Sequence, residues 1–333
     1  MILNEDGFLA LLNLTNMEAF IHPWTTMWAT EEQAIWNLQI IFMGIMVCLS
    51  CGVVGCFVVI RRMALLGDAI SHGILPGIVI AYLLTGSLSI GPLWLGACLA
   101  GLVCGACIEW LRTHTPLKED AAMGLTFTSF FALGIILLSM EVGNIHLDPA
   151  CVLYGEIGLT PLAPELILWG VSLGNSSLWT TGLVCLITLI SSVLFYRFLL
   201  VTSFDQSLAQ SLGMPVMWIQ YGLMLLLALV VVASFESVGV ILVLAMMILP
   251  AVSTAFLFDR LPSMLIGCIP LSIFYAVGGL HFAYWMNFPI SASMALTGVM
   301  LFCPCCLWGP KGGILRSRIK DKADVETLSS FYQ

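Results

Sequence analysis

The chain has 333 residues, of which 60% are apolar and 9% charged, and its formal net charge is -8. Soluble domains carry roughly 25% charged residues, so a water-soluble globule is excluded. The 12 cysteines sit mostly inside long apolar runs, which excludes a small secreted disulfide scaffold, and the acidic balance leaves no basic, aromatic-interleaved tract to track nucleic-acid phosphates.

Residues 1–35 hold Glu5, Asp6, Glu18, Glu31 and Glu32 but no Lys or Arg. No cleavage-site pattern follows their short apolar core, so this is an acidic extracytoplasmic segment and not a signal peptide. A membrane-crossing helix takes about 20 residues. Apolar stretches at 36–60, 64–84, 90–111, 121–140, 178–200, 217–235, 238–258, 263–281 and 287–308 therefore predict an all-α polytopic bundle of about nine spans. Lys and Arg collect on the cytoplasmic side of membrane proteins. Here Arg61 and Arg62 follow the first span, Arg112 and Lys118 the third and Arg260 the seventh, while Arg197 ends the fifth. Lys311, Arg316, Arg318, Lys320 and Lys322 lie in the tail. With nine spans all 11 basic residues fall on one face, placing the amino terminus outside and the carboxyl terminus in the cytoplasm. The domain reading is a transmembrane bundle over 36–310 followed by a cytoplasmic tail over 311–333. Residues 141–177, broken by Gly143, Pro149, Gly155, Gly158, Pro161 and Pro164, are expected to form an extracytoplasmic re-entrant or surface-lying element.

Ionisable residues inside a span are costly and mark functional sites. In the second span Asp68 and His72 lie four residues apart and share a helix face. A carboxylate and an imidazole so placed can both reach one divalent cation, the oxygen suiting Mn or Fe and the nitrogen Zn, Fe or Mn. Two ligands are half a site, consistent with an ion that must be released and with further ligands from another helix or a second subunit. The same spacing also fits a pair that merely hydrogen-bonds to itself and a neighbouring helix. Gly73, Pro76 and Gly77 predict a kink just beyond the pair, whose freed carbonyls would be available to an ion. Glu109, three residues before Arg112, reads as an ion-paired helix end, and the cysteines and 17 methionines read as packing residues.

The loop over 202–216 lies on the basic, cytoplasmic side. Ser203 with Gln206 suggests a capping box, and Gly213 with Pro215 a stop, so a short helix is expected at about 204–212. Phe204, Leu208, Leu212 and Ala209 would give it an apolar stripe needing a partner: the bundle, the bilayer surface or another subunit. No enzyme is indicated. Gly309-Pro-Lys-Gly-Gly313 lacks the Lys-Ser or Lys-Thr ending of a phosphate-binding loop.

Three stretches together resemble the manganese/zinc/iron family of ABC-importer permeases: Arg61-Arg-Met-Ala-Leu-Leu-Gly-Asp-Ala-Ile-Ser-His-Gly-Ile-Leu-Pro-Gly77, Ser203-Phe-Asp through Gly213-Met-Pro215, and Ser237-Val-Gly-Val-Ile-Leu-Val through Ile248-Leu-Pro-Ala251. The resemblance implies a multi-pass subunit of a bacterial inner membrane that imports Mn, Zn or Fe. It implies no permanently bound cofactor, a separate ABC ATPase that hydrolyses ATP, a second permease (identical or related) and a metal-binding substrate-binding protein. Asp68 and His72 match the family's metal positions. Ser203, Phe204, Asp205, Leu208 and Gly213 match its coupling element, which docks on the ATPase. The residues alone leave a second reading, an ion- or proton-coupled secondary carrier in which Asp68 and His72 relay protons, and they do not choose among the metals.

Overall fold

A computed structural model describes residues 28–86, 90–140, 156–168, 171–310 and Gly313. The acidic segment before Trp28, the exterior stretch over 141–155 and the basic tail lie outside the described residues.

The first helix, α1 (Glu31–Ile60), begins ahead of the apolar stretch that predicts it. Thr30 caps it, its hydroxyl accepting from the Gln33 N–H at 3.3 Å. Glu31 and Glu32 then occupy the positive end of the helix. A hydropathy window does not register this polar first turn. The second span is two helices, α2 (Leu66–Gly73) and α3 (Leu75–Thr85). The next two are α4 (Ile90–His114) and α5 (Glu119–Met140).

Part of the exterior stretch is visible as a 3-10 helix (Ile157–Leu162) and a short antiparallel hairpin, β1 (Glu165–Leu168) and β2 (Val171–Asn175). The hairpin is a small addition to the all-helical expectation. The 3-10 segment lies on the bundle, with Ile157 fully buried. Glu156 Oε1 accepts from the Ile290 N–H at 3.3 Å, and Ser291 Oγ accepts from the Ile157 N–H at 3.2 Å.

The predicted fifth span breaks at Phe195 into α6 (Ser176–Leu194) and α7 (Tyr196–Phe204), followed by the short α8 (Gln206–Ser211). The chain then forms α9 (Val216–Val238), α10 (Val240–Leu257), α11 (Leu261–Met286) and α12 (Ile290–Trp308). Among the described residues eight helical units, α2 with α3 counted as one, are long and apolar enough to cross a membrane, and Leu242–Leu257 is a shorter apolar helix. Together they account for the predicted spans one for one.

The most enclosed helix, α1, packs against α6, α9, α10 and α11. It runs antiparallel to α11. Tyr284 donates to Asn37 at 3.0 Å near one end, and the Cys56 and Cys268 sulfurs lie 3.5 Å apart near the other. Met43, Phe57, Met224 and Tyr275 fill the core between these helices. The outer faces of α4, α5 and α6 expose Leu99, Ile136 and Val193, as expected of a surface solvated by lipid. In that setting close backbone packing contributes more than apolarity. The α3–α4 contact shows it: a Cβ on Gly77 would collide with the Gly96 carbonyl, and one on Gly96 with that of Gly77.

Candidate metal site and docking loop

Asp68 and His72 are carried by α2, a half-helix of eight residues. Asp68 falls in its first turn, where the helix dipole favours a carboxylate, and His72 in its last. The predicted break follows immediately. Ile74 leads into Pro76, which has no N–H to offer the His72 carbonyl, and the Gly77 and Ile78 N–H groups both turn to the Ile74 carbonyl at 3.0 and 3.2 Å.

The spacing does bring the two side chains together. His72 Nε2 lies 3.4 Å from Asp68 Oδ1, with the side chains 27% and 33% exposed respectively. The imidazole is held against α5, edge-on to Phe131 with ring centroids 5.3 Å apart and tilted to Phe127 at 5.8 Å. Its Nδ1 is buried without a hydrogen-bond partner. Ser71 turns away and donates to the Gly67 carbonyl at 2.7 Å. No cluster of three or more His, Cys, Asp or Glu side chains suited to a metal occurs among the described residues. One chain thus presents two donors on an open, partly exposed face.

At the other functional stretch the short helix is present, but its cap differs from the expectation. Ser203 does not cap it. Its hydroxyl belongs to α7, donating to the Leu199 carbonyl at 2.6 Å. Asp205, in extended backbone, is the cap, and Oδ1 accepts from the Ser207 and Leu208 N–H groups at 2.9 and 3.0 Å. The predicted stop is found as drawn. Gly213 adopts a φ of +72°, its N–H bonds the Gln210 carbonyl at 2.9 Å, and the Met214 N–H reaches the Ala209 carbonyl at 3.0 Å, the paired bonds of a Schellman cap. Ala209 is buried, whereas Phe204, Leu208 and Leu212 are 66%, 51% and 60% exposed and Met217 and Trp218 extend the apolar patch.

Sequence reasoning missed a polar cluster at this end of the bundle. Arg61, next to the α1 terminus, donates from Nε to Ser203 Oγ at 3.1 Å, from Nη2 to Thr202 Oγ1 at 2.9 Å, and from Nη1 to Gln220 Oε1. Gln220 in turn donates to Glu109 Oε2 at 3.4 Å. As expected, Glu109 pairs with Arg112, at 2.8 Å, and Arg112 also binds Glu119 on α5 at 2.9 Å. Burial and the nearby Arg112 hold the Arg61 guanidinium down at about 10, so it remains charged at neutral pH. The available signal was Thr202, Ser203 and Gln220, polar residues at the ends of two apolar spans.

The fold is that of a multi-span membrane protein, and its similarities make it a permease. The ABC 3 transport family matches residues 36–308, and the chain belongs to that family. It is 39% identical over 281 residues to the manganese transport system membrane protein MntD of Bacillus subtilis (strain 168), covering 84% of this chain and 95% of the relative. Its identity to the zinc transport system membrane protein TroD of Treponema pallidum (strain Nichols) is 37% over 304 residues, 88% of this chain and 81% of the relative. Among solved structures, PsaBC from Streptococcus pneumoniae in complex with Fab superposes with a TM-score of 0.71 at 31% identity, covering 89% of this chain and 99% of that one.

Proposed function

We propose that this chain is the permease subunit of an ATP-driven importer of a divalent transition metal in a bacterial inner membrane. The observation that carries the reading is the Asp68–His72 pair, two donor side chains on an open half-helix that ends in a proline break. Family membership and relatives named for manganese and zinc transport support it. Mn and Zn are the favoured substrates because those relatives are named for them, and carboxylate oxygen and imidazole nitrogen are compatible with both.

In this reading the ion is cargo. Asp68 Oδ1 and His72 Nε2 close on it, and a second permease copy or a related permease supplies the missing ligands. Two donors per chain bind loosely enough for release, whereas a closed four-ligand cage would hold the ion. The Phe127 and Phe131 rings fix the imidazole without competing for the metal. A substrate-binding protein delivers the ion to the exterior face. The apolar patch of Phe204, Leu208 and Leu212 docks on an ABC ATPase, Asp205 and Gly213 holding α8 rigid for the purpose.

The test is metal uptake by the complete transporter in reconstituted vesicles. Asp68→Ala and His72→Ala should each lower uptake at least a hundredfold while the ATPase still co-purifies. Normal uptake by both variants would sink the site assignment. Phe204→Ser should release the ATPase in detergent, and undiminished co-purification would refute docking through this patch. An uptake that continues without any ATPase and collapses with an uncoupler would replace the importer by a secondary carrier.

A further inference from the structure

Among the described residues the Arg61 cluster is the polar assembly that metal binding and docking leave unexplained. Its bonds have a direction. The Thr202 and Ser203 hydroxyls each spend their single proton on their own helix, donating to the Phe198 and Leu199 carbonyls at 2.8 and 2.6 Å. Only their lone pairs remain for the guanidinium. The Gln220 amide is oriented by the same logic, its oxygen toward Arg61 and its NH2 toward Glu109. Two arginines and two glutamates thereby close a neutral chain running Thr202/Ser203, Arg61, Gln220, Glu109, Arg112, Glu119.

The places this chain joins are telling. Ser203 lies two residues before Asp205, the cap of the docking helix. Arg61 ends α1, and a short turn leads from it into α2 with Asp68 in the first turn. In that turn Arg62 adopts a φ of 61°, its N–H bonding the Val59 carbonyl at 3.0 Å. A non-glycine side chain held in the left-handed region costs free energy that tertiary contacts must offset. Glu119 begins α5, the helix whose Phe127 and Phe131 rings hold His72. One guanidinium therefore stands between the docking loop and both helices that shape the metal pair.

We infer that Arg61 is a positioning residue for transport, fastening the docking loop to the α1–α2 turn so that displacement of the loop moves Asp68 and His72 with it. This inference rests on the proposed ATPase docking and metal sites. The planar fork of arginine suits the role because it holds three partners in fixed directions, which a lysine ammonium does not. A rigid, fully paired cluster transmits displacement, whereas a cluster with free rotors absorbs it.

The test measures ATP hydrolysis and Mn uptake in the same vesicles containing the complete transporter. Arg61→Met should lower uptake tenfold or more while hydrolysis falls less than threefold, raising the ATP spent per ion. Arg61→Lys should fail to restore the ratio. The double variant Thr202→Val with Ser203→Ala should uncouple in the same direction and add nothing further when combined with Arg61→Met. Should the Arg61→Met permease itself not fold, this double variant decides by the same ratio. A parallel fall of uptake and hydrolysis, an unchanged ratio, or full rescue by lysine overturns the inference. So does loss of the ATPase from a folded Arg61→Met permease, since the Arg61 guanidinium is engaged by Thr202, Ser203 and Gln220 and is not part of the exposed docking patch. Failure of docking itself would show instead in Phe204→Ser, and failure of the metal site in Asp68→Ala, so the outcomes stay distinct.

Discussion

The Asp68–His72 pair and the Arg61 cluster are both polar groups in an apolar chain, and they are built in opposite ways. Around Arg61 the three guanidinium nitrogens, two hydroxyls and an amide all find partners. On α2 the two side chains face each other at 3.4 Å, remain partly exposed, and leave the His72 Nδ1 buried and unpaired. An unsatisfied buried polar atom costs about 1–3 kcal/mol. Groups proposed to receive a passing ion must keep their ligating atoms within reach of it, and Asp68 Oδ1 and His72 Nε2 are held by no partner but each other on a partly exposed face. In the proposed reading the saturated cluster transmits motion and the open pair handles cargo.

The largest effect should come from the deficient pair. Asp68→Asn keeps the shape of the carboxylate while removing its charge. Metal uptake should fall at least a hundredfold, with thermal unfolding in detergent shifted by less than the scatter of a conservative surface change. A large loss of stability instead would mean the pair is structural. At the saturated end, Phe204→Ser should weaken ATPase retention tenfold or more in a pull-down, because the side chain is exposed and supports no fold contact of comparable size.

A third experiment sharpens the contrast by moving the frame and leaving the donors alone. Gly77→Val places methyl groups against the Gly96 carbonyl, and overpacking of this kind costs about 1–3 kcal/mol. The α3–α4 contact should open, seen as a lower unfolding midpoint together with reduced uptake. Asp205→Ala removes the cap of α8 and should cost about 1 kcal/mol of local stability, read as a few-fold weaker ATPase binding. The smallest effect carries the opposite sign. Arg62→Gly relieves a left-handed side chain worth about 1–2 kcal/mol, so the unfolding midpoint should rise slightly.

Much of this was legible in the chain. Apolar runs gave the spans because a helix must present about 20 apolar residues to cross lipid whatever its neighbours are. The Asp68–His72 contact and the break after it followed from helical spacing and from proline chemistry. The Gly213 stop did too, since a left-handed residue there is readily supplied by glycine. The cap of α8 was misjudged because Ser203 and Asp205 are both good caps in isolation. Which one is free to act depends on whether its side chain is already engaged, and Ser203 is held by Arg61 and Leu199.

What the sequence by itself determined is the class of molecule: a helical membrane bundle, its spans, the one-sided basic charge and a carboxylate–imidazole pair on one helix face. These are properties of composition and of short spacing, and they hold for any packing of the helices. The tertiary structure alone decided which helix ends meet. Arg61, Glu109, Glu119, Thr202 and Gln220 are scattered over 160 residues of chain, and no local pattern relates them. They converge because α1, α4, α5, α7 and α9 end or begin at the same face of the bundle, where a half-buried arginine must find every partner it can. The same packing set His72 against Phe127 and Phe131 and left Asp68 open. It thereby turned two residues that spacing could only pair into a partly exposed face, the one proposed to receive the ion.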